Sequence, residues 1–198
     1  MISVCELSIS FGEKTVLDRF SMEFPHVPLL GITGPSGCGK TTLFRILAGL
    51  ESPDSGSFSG IHPERVAFLF QEDRLLPWRT SGQNISDFLP RHRKSEVEHW
   101  LAFAELENEA STLPANLSGG MARRLALARC AALDSDLLLL DEPFTGVDPA
   151  RALRLIERLR ALGKPVILIS HERDILNSCD AVVTFSGPPL SLQSEVLT

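Results

Sequence analysis

The apolar residues of this chain fall into short continuous runs, which are separated by longer segments with a helical pattern. Such runs occupy residues 28–32, 137–140 and 165–170, and a shorter one lies within 65–70. A strand that is apolar along its whole length is typical of a parallel sheet whose two faces are both covered by helices. The pattern therefore predicts an α/β fold with a mainly parallel sheet flanked by helices.

Outside these runs, the pattern predicts a small β subdomain and several helices. Residues 2–9 alternate loosely between apolar and polar positions, and 16–24 resemble a second strand, so we expect a small N-terminal antiparallel β subdomain. Segment 51–57 is rich in Ser, Pro and Gly and predicts a turn-rich break. The helical pattern is strongest in 121–133 and 149–162.

The block from residue 74 to residue 116 is nearly all helical and interrupts the α/β pattern. A chain of 198 residues fits one domain. We therefore expect a single domain, 1–198, with a short inserted helical subdomain at 71–120. Residues 1–70 and 121–198 would then form the α/β core together with the β subdomain.

The segment after the first apolar run matches the phosphate-binding P-loop pattern G-x-x-x-x-G-K-T. Its glycines permit a tight turn, so several backbone N–H groups can point toward one anion, and the following helix adds the positive end of its dipole. Lys40 can reach the β- and γ-phosphates, and the Thr41 hydroxyl can bind Mg²⁺. The predicted nucleotide-binding residues here are Gly34, Pro35, Ser36, Gly37, Cys38, Gly39, Lys40, Thr41 and Thr42.

Two carboxylates follow the apolar run at 137–140. Ligands of open α/β sheets bind at the carboxyl edge, and the predicted strand delivers Asp141 and Glu142 to that edge. Asp141 is suited to hold Mg²⁺ through a water molecule, and Glu142 can act as general base on the water that attacks the phosphate. An ordinary strand with an acidic end is the alternative.

A second anion-binding site is predicted at residues 117–121. Ser118 stands at the expected cap of the following helix, and Gly119 and Gly120 leave the helix N-terminus open to an anion. One chain does not need two such sites for one γ-phosphate. Two chains arranged head-to-tail would use both, with each chain closing over the nucleotide of the other.

The composition limits the class of protein. The net charge of −6 argues against a nucleic-acid partner, and no apolar run approaches the roughly 18 residues of a membrane span. The first residues lack the basic and long apolar segments of a signal peptide. The four cysteines are widely spaced and the five histidines show no metal-site spacing, so we expect a protein of the reducing cytoplasm.

The order of the motifs resembles that of the ATP-binding cassette family along nearly the whole chain. The P-loop, Gln71, the segments 117–120, 137–142 and 146–148, and His171 follow one another as they do in the ATPase subunits of ABC transporters. The resemblance implies a P-loop ATPase subunit that uses ATP and Mg²⁺, forms a head-to-tail homodimer in the ATP state and drives a transmembrane permease. It also implies a cytoplasmic location at the inner face of the cell membrane.

The resemblance assigns roles to individual residues. Phe11 lies where the family has an aromatic ring that stacks on adenine, although packing on an edge strand is the alternative. Gln71 would touch Mg²⁺ and the attacking water. Ser118 and Gly120 would contact the γ-phosphate bound to the opposite subunit, and Asp148 would cross the dimer interface. The predicted catalytic residues are Lys40, Gln71, Glu142 and His171, and the predicted Mg²⁺ ligands are Thr41, Gln71 and Asp141.

Residues 71–80, from Gln71 to Thr80, resemble a segment of the nitrate, sulfonate, taurine and pyrimidine-precursor importers. In those ATPases the segment receives the coupling helix of the permease. Leu75, Leu76 and Trp78 are apolar here, and an exposed apolar patch usually marks a partner site. The alternative is that Trp78 packs beneath the helical insertion. Import of a small solute is the predicted function.

Other features keep further functions open. Met121 stands where the family usually has Gln, and Thr145 stands where Ser or Ala is common; we interpret Met121 as tuning the activity. The stretch 118–124 also resembles lipid-trafficking ABC ATPases, so lipid traffic or export is an alternative. A soluble ABC-type ATPase of DNA repair or translation is disfavoured because the chain shows no coiled-coil insertion. A regulator without hydrolysis is disfavoured by the intact Lys40 and Glu142.

Overall fold

Residues 1–197, which the computed structural model describes, contain nine strands arranged in two sheets. The strands are β1 Ser3–Phe11, β2 Lys14–Glu23, β3 Leu29–Thr33, β4 Ser55–Ser59, β5 Val66–Leu69, β6 Leu137–Asp141, β7 Val166–Ile169, β8 Ala181–Ser186 and β9 Ser191–Leu197. The larger sheet has the order β5-β6-β7-β3-β8-β9, and all of its neighbouring strands are parallel except β8 and β9. The predicted mainly parallel sheet is confirmed.

Six α-helices occur in the same residues, and they are α1 Lys40–Leu47, α2 Ser81–Ser86, α3 Val97–Phe103, α4 Gly119–Ala131, α5 Pro149–Ala161 and α6 Arg173–Asn177. Helix α4 begins directly after its predicted cap, two residues before the stretch where the helical pattern is strongest, and the Ser118 hydroxyl accepts the N–H of Met121 there. The block 74–116 is less helical than expected. Helices α2 and α3 are only six and seven residues long. The prolines of this block limit helix length because proline cannot donate a backbone hydrogen bond.

Both faces of the larger sheet are buried along β3, β6 and β7, as the apolar runs predict. Leu138 and Leu140 belong to one hydrophobic cluster, which α4 and α5 also fill, whereas Leu137 and Leu139 belong to a second cluster together with α1. Successive side chains of a strand point to opposite faces, so one continuous apolar run serves both clusters. The sheet is therefore a central layer with hydrophobic packing on each side.

The smaller sheet is the predicted N-terminal antiparallel unit, with one correction. Strand β1 pairs with β2 on one side and with β4 on the other. Strand β4 overlaps the end of the segment 51–57, which the sequence pattern predicts as a turn-rich break, and continues to Ser59. Its Ser and Gly residues have little intrinsic preference for strands, so the pairing with β1 imposes the extended conformation. The Asp54 carboxylate accepts the N–H of Ser10 at 2.9 Å and holds the two segments together.

Three strands of the larger sheet end at the same edge and carry the predicted site residues there. Strand β3 leads into the P-loop, β6 ends at Asp141, and β7 ends two residues before His171. Asp141 pairs in register with Ile169 of the neighbouring strand. The division into an α/β core and a helical subdomain at 71–120 remains a proposal, and its boundary falls in the first turn of α4.

Candidate functional site

The P-loop has the backbone conformation that its glycines predict. Gly34, Gly37 and Gly39 all have positive φ, at 143°, 74° and 118°. A Cβ atom on Gly34 would lie 2.4 Å from the carbonyl oxygen of Phe185, so this position accepts no larger residue. Gly39 precedes α1 without any side-chain cap, and the N–H groups of the helix start are left for an anion.

Lys40 is buried at the centre of this loop, with 6% of its surface exposed. Its ammonium donates hydrogen bonds of 2.8 Å to the carbonyl oxygens of Gly34 and Pro35. These bonds hold the charge inside the loop, where a phosphate group would approach. A cavity of about 260 Å³ lies beside the loop and is lined by Phe11, Val16, Gly37, Gly39, Lys40 and Thr41. Phe11 is half exposed at this cavity, at 51%, which is not the position of a packed edge-strand residue.

Thr41 and Asp141 form the part of the site that suits a divalent cation. The Thr41 hydroxyl donates a 2.7 Å hydrogen bond to Oδ2 of Asp141. Burial raises the pKa of Asp141. The hydrogen bond from Thr41 lowers this pKa in part, and the neighbouring Glu142 carboxylate raises it further. Among residues 1–197 no three His, Cys, Asp or Glu side chains cluster to hold a metal. Mg²⁺ needs no such cluster, since one carboxylate, one hydroxyl, waters and phosphate oxygens suffice.

Glu142 and His171 lie close together at the ends of β6 and β7. The Nε2 atom of His171 is 3.1 Å from Oε1 of Glu142, and the hydroxyl of Thr145 donates to Oε2 of Glu142 at 3.3 Å. Glu142 has a φ of 54°, which is uncommon for a residue with a side chain. The backbone therefore turns sharply after Asp141, and the two adjacent carboxylates diverge to different partners.

The other predicted phosphate ligands line a separate cleft. A cleft of about 700 Å³ contains Gln71, Ser118, Gly119, Gly120 and Asp148 among its lining residues. The Ser118 hydroxyl caps α4, and the Asp148 carboxylate caps α5 by accepting the N–H of Arg151 at 3.1 Å. We call this the signature cleft. The P-loop residues do not line it, so the structure does not bring the two predicted anion sites of one chain together.

Gln71 is the predicted site residue whose placement differs most from the expectation. The family resemblance places it among the Mg²⁺ ligands, yet it lines the signature cleft and not the cavity beside the P-loop. Its backbone carbonyl accepts a hydrogen bond of 3.2 Å from Arg123. The predicted contact between Gln71 and Mg²⁺ stays a prediction.

The apolar residues of the segment 71–80 are partly on the surface. Trp78 is 72% exposed, so the alternative that it packs beneath the helical insertion is wrong. Leu75 and Leu76 are half buried. Phe88 is also exposed and lies 5.0 Å from the guanidinium of Arg129, which stacks over its ring. No helix within residues 1–197 is long and apolar enough to cross a membrane.

Arg123 is the residue of this region that the sequence patterns do not single out. It lies on α4 and is 3% exposed, although Arg is rarely buried without partners. Its guanidinium contacts the backbone at the ends of both β5 and β6. The sequence does contain one signal for it: three arginines occur in the Ala- and Leu-rich stretch 121–133. A helix this apolar is largely buried, so its arginines need protein partners in place of water.

The fold and this arrangement define a nucleotide-binding cassette of the P-loop class. The ABC transporter family model matches residues 17–145. The aliphatic sulfonates import ATP-binding protein of Nocardia farcinica is 41% identical over 179 residues, which cover 87% of this chain and 72% of that protein. Its counterpart in Frankia alni is 38% identical over 200 residues, which cover 98% of this chain and 80% of that protein. The chain belongs to the ABC transporter family and is an ABC-type ATPase.

Solved structures agree with the fold. The dimeric structure of the bacterial ABC transporter cassette MJ0796 superposes with a TM-score of 0.86 at 22% identity and covers 100% of this chain and 98% of that one. A post-hydrolysis state of the same cassette, bound to ADP and Pi, gives a TM-score of 0.85 at 22% identity with the same coverage. The predicted fold, an ATPase cassette with a small antiparallel sheet, is confirmed.

Proposed function

We propose that this chain is the ATP-hydrolysing subunit of a transporter that imports a small solute, with aliphatic sulfonates as the first candidate cargo. The observation that carries the proposal is the separation of two half-sites. Lys40 and Thr41 line the cavity beside the P-loop, and Thr41 bonds Asp141, the residue before Glu142, whereas Ser118 and Gly120 line the signature cleft. A second copy placed head-to-tail would supply the missing half of each site.

Nucleotide binding rests on the P-loop and its surroundings. The N–H groups at the start of α1 and the Lys40 ammonium would hold the phosphates, with Lys40 exchanging its two carbonyl partners for phosphate oxygens. The exposed ring of Phe11 offers an aromatic face to adenine. Thr41 and Asp141 would hold Mg²⁺, which neutralises charge on the phosphate oxygens when bound.

Hydrolysis requires a base that is close to the γ-phosphate and held in place. The Glu142 carboxylate would accept a proton from the attacking water, and His171, 3.1 Å away, would orient both. Positioning and charge neutralisation then supply most of the catalysis, as in other phosphoryl-transfer sites. Gln71 would report to this site on the state of the membrane partner.

The dimer would complete the site. Ser118, Gly119 and Gly120 of one subunit would contact the γ-phosphate held by the other, and Asp148 would cross the interface. The solved cassette with a similar fold is described as dimeric, which supports the same assembly here. Loss of the γ-phosphate on hydrolysis removes the group that holds the two subunits together, so the dimer reopens.

A permease would dock on the surface that contains the segment 71–80, at the cytoplasmic face of the membrane. The 72% exposure of Trp78 leaves an apolar side chain available for a partner. The sulfonate assignment rests on the names of the relatives, such as the protein of Nocardia farcinica.

Two measurements test this function. Purified chain should hydrolyse ATP in a Mg²⁺-dependent manner, and cells that depend on this chain should take up a radiolabelled alkanesulfonate. The Lys40→Ala substitution should abolish both ATP hydrolysis and alkanesulfonate uptake. Normal sulfonate uptake in the Lys40→Ala strain, with ATP hydrolysis abolished in vitro, would reject the cargo but retain the ATPase.

A further inference from the structure

The guanidinium of Arg123 joins two loops that the proposed mechanism treats separately. Nη1 donates to the carbonyl oxygens of Phe70 and Gln71, at 2.8 and 3.2 Å, which belong to the segment after β5. Nη2 donates to the carbonyl oxygens of Asp141 and Glu142, at the end of β6. One buried side chain therefore fixes the backbone of the Gln71 loop and the backbone of the catalytic carboxylates.

Arginine is the residue whose chemistry suits this task. Its planar fork offers five N–H donors in fixed directions, whereas a lysine ammonium is a compact point charge that cannot span two loops. The positive charge is compensated because Asp73 lies 3.1 Å from Nη1. The charge of Arg123 also acts on Asp141, where it favours the ionised carboxylate.

Glu142 has a backbone conformation that needs such support. Its left-handed backbone conformation is unfavourable for any residue other than glycine, so contacts with the surrounding protein must stabilise that conformation. Arg123 bonds the Glu142 carbonyl twice, from Nε at 3.1 Å and from Nη2 at 2.9 Å. These bonds orient the peptide from which the Glu142 side chain projects toward His171.

We propose that Arg123 is a positioning residue that aligns Glu142 for hydrolysis and transmits displacement of the Gln71 loop to it. The proposal rests on the proposed role of Glu142 in the ATPase. Arg123 need not touch nucleotide, because its donors are occupied by backbone oxygens and by Asp73. Movement of the Gln71 loop would pull on the same guanidinium that holds Glu142.

Hydrogen exchange tests the mechanical part of the proposal without any turnover. In Arg123→Gln, amides of 71–74 and of 142–146 should both exchange faster, since both loops lose the same clamp. Arg158→Gln is the matched control, because Arg158 also donates to two backbone carbonyls, at Ala102 and Phe103, away from these loops. Faster exchange in only one of the two loops, or equal acceleration in Arg158→Gln, overturns the proposal.

Steady-state kinetics test the catalytic part. Arg123→Gln should lower kcat at least about tenfold while KM and the Kd for ATP change less than about twofold, because a misplaced base slows chemistry without touching the P-loop. Arg123→Lys should recover only part of kcat. In a Glu142→Gln background, adding Arg123→Gln should lower the residual rate no further.

Three kinetic results contradict the proposal. They are an unchanged kcat in Arg123→Gln, a loss of ATP affinity that matches the loss of kcat, and full additivity with Glu142→Gln. A wild-type chain that does not hydrolyse ATP on its own would contradict the proposed function instead, while the exchange experiment would still decide whether Arg123 links the two loops.

Discussion

The hydroxyl of Thr41 and the carboxylate of Asp141 are joined by a 2.7 Å hydrogen bond, although 100 residues separate them in the sequence. The two residues come from the first turn of α1 and the last position of β6. Asp141 is 2% exposed, and burial raises its pKa above the ordinary value. The structure therefore holds a carboxylate that is costly to charge at the position proposed for Mg²⁺.

Asp141→Asn should raise the stability of the nucleotide-free chain near neutral pH and abolish Mg²⁺-dependent hydrolysis. A folded-state pKa above the unfolded value means that the ionised Asp141 destabilises the fold. This destabilisation is fully present above the folded-state pKa and disappears as the pH falls below the unfolded value. Denaturant unfolding of both proteins across pH measures the difference, which should shrink toward acid. A difference that grows toward acid would show that the ionised Asp141 does not destabilise the fold.

Glu142→Gln should reduce ATP turnover by at least about 10²-fold, the contribution expected of a general base. ATP-bound dimers should accumulate, since the amide preserves the shape of the carboxylate and leaves the γ-phosphate in place. Phosphate release and size-exclusion chromatography with ATP and Mg²⁺ measure the two effects. A variant that turns over ATP at the wild-type rate shows that Glu142 is not the base.

Gly120→Ala should destabilise the chain by about 1–3 kcal/mol, because overpacking forces the backbone to shift. A Cβ atom on Gly120 would lie 2.5 Å from the carbonyl oxygen of Gly146, and backbone yields less readily than a side chain. Gly119→Ala is the matched control, since a Cβ atom there meets nothing within 4 Å. Urea unfolding of the two variants measures the difference, and equal stabilities would rule out this close contact.

Trp78→Ala should weaken binding of the permease and change the free energy of unfolding by less than about 0.5 kcal/mol, as is usual for an exposed side chain. Trp100→Ala provides the contrast, because Trp100 is buried and its truncation should cost about 3–5 kcal/mol. Co-purification of permease with the chain, together with urea unfolding, measures both quantities. Undiminished co-purification with Trp78→Ala would remove this residue from the docking surface.

The sequence predicts the features whose signals are local. The P-loop, the apolar strand before Asp141, and the Ser118 cap of α4 each follow from a few adjacent residues, and the structure has all three. The sequence pattern does not predict strand β4, because its polar and glycine residues become a strand only by pairing with β1.

The contacts of Arg123 are also beyond sequence patterns, for a related reason. Its partners lie 18 to 53 residues away, at the ends of two different strands. Helical periodicity can show that an arginine lies on a buried face, but it cannot show which carbonyl groups meet it there. The separation of the two half-sites depends in the same way on where the tertiary fold places α4 relative to α1.

We propose that each ATPase site is shared between two copies of this chain. The most direct test is Mg²⁺-dependent ATP hydrolysis by the purified chain over a series of protein concentrations, with sedimentation at each concentration. We expect the rate per subunit to rise as dimers form and to vanish in Lys40→Ala. A rate per subunit that stays constant while sedimentation shows only monomers would show that one chain carries a complete site.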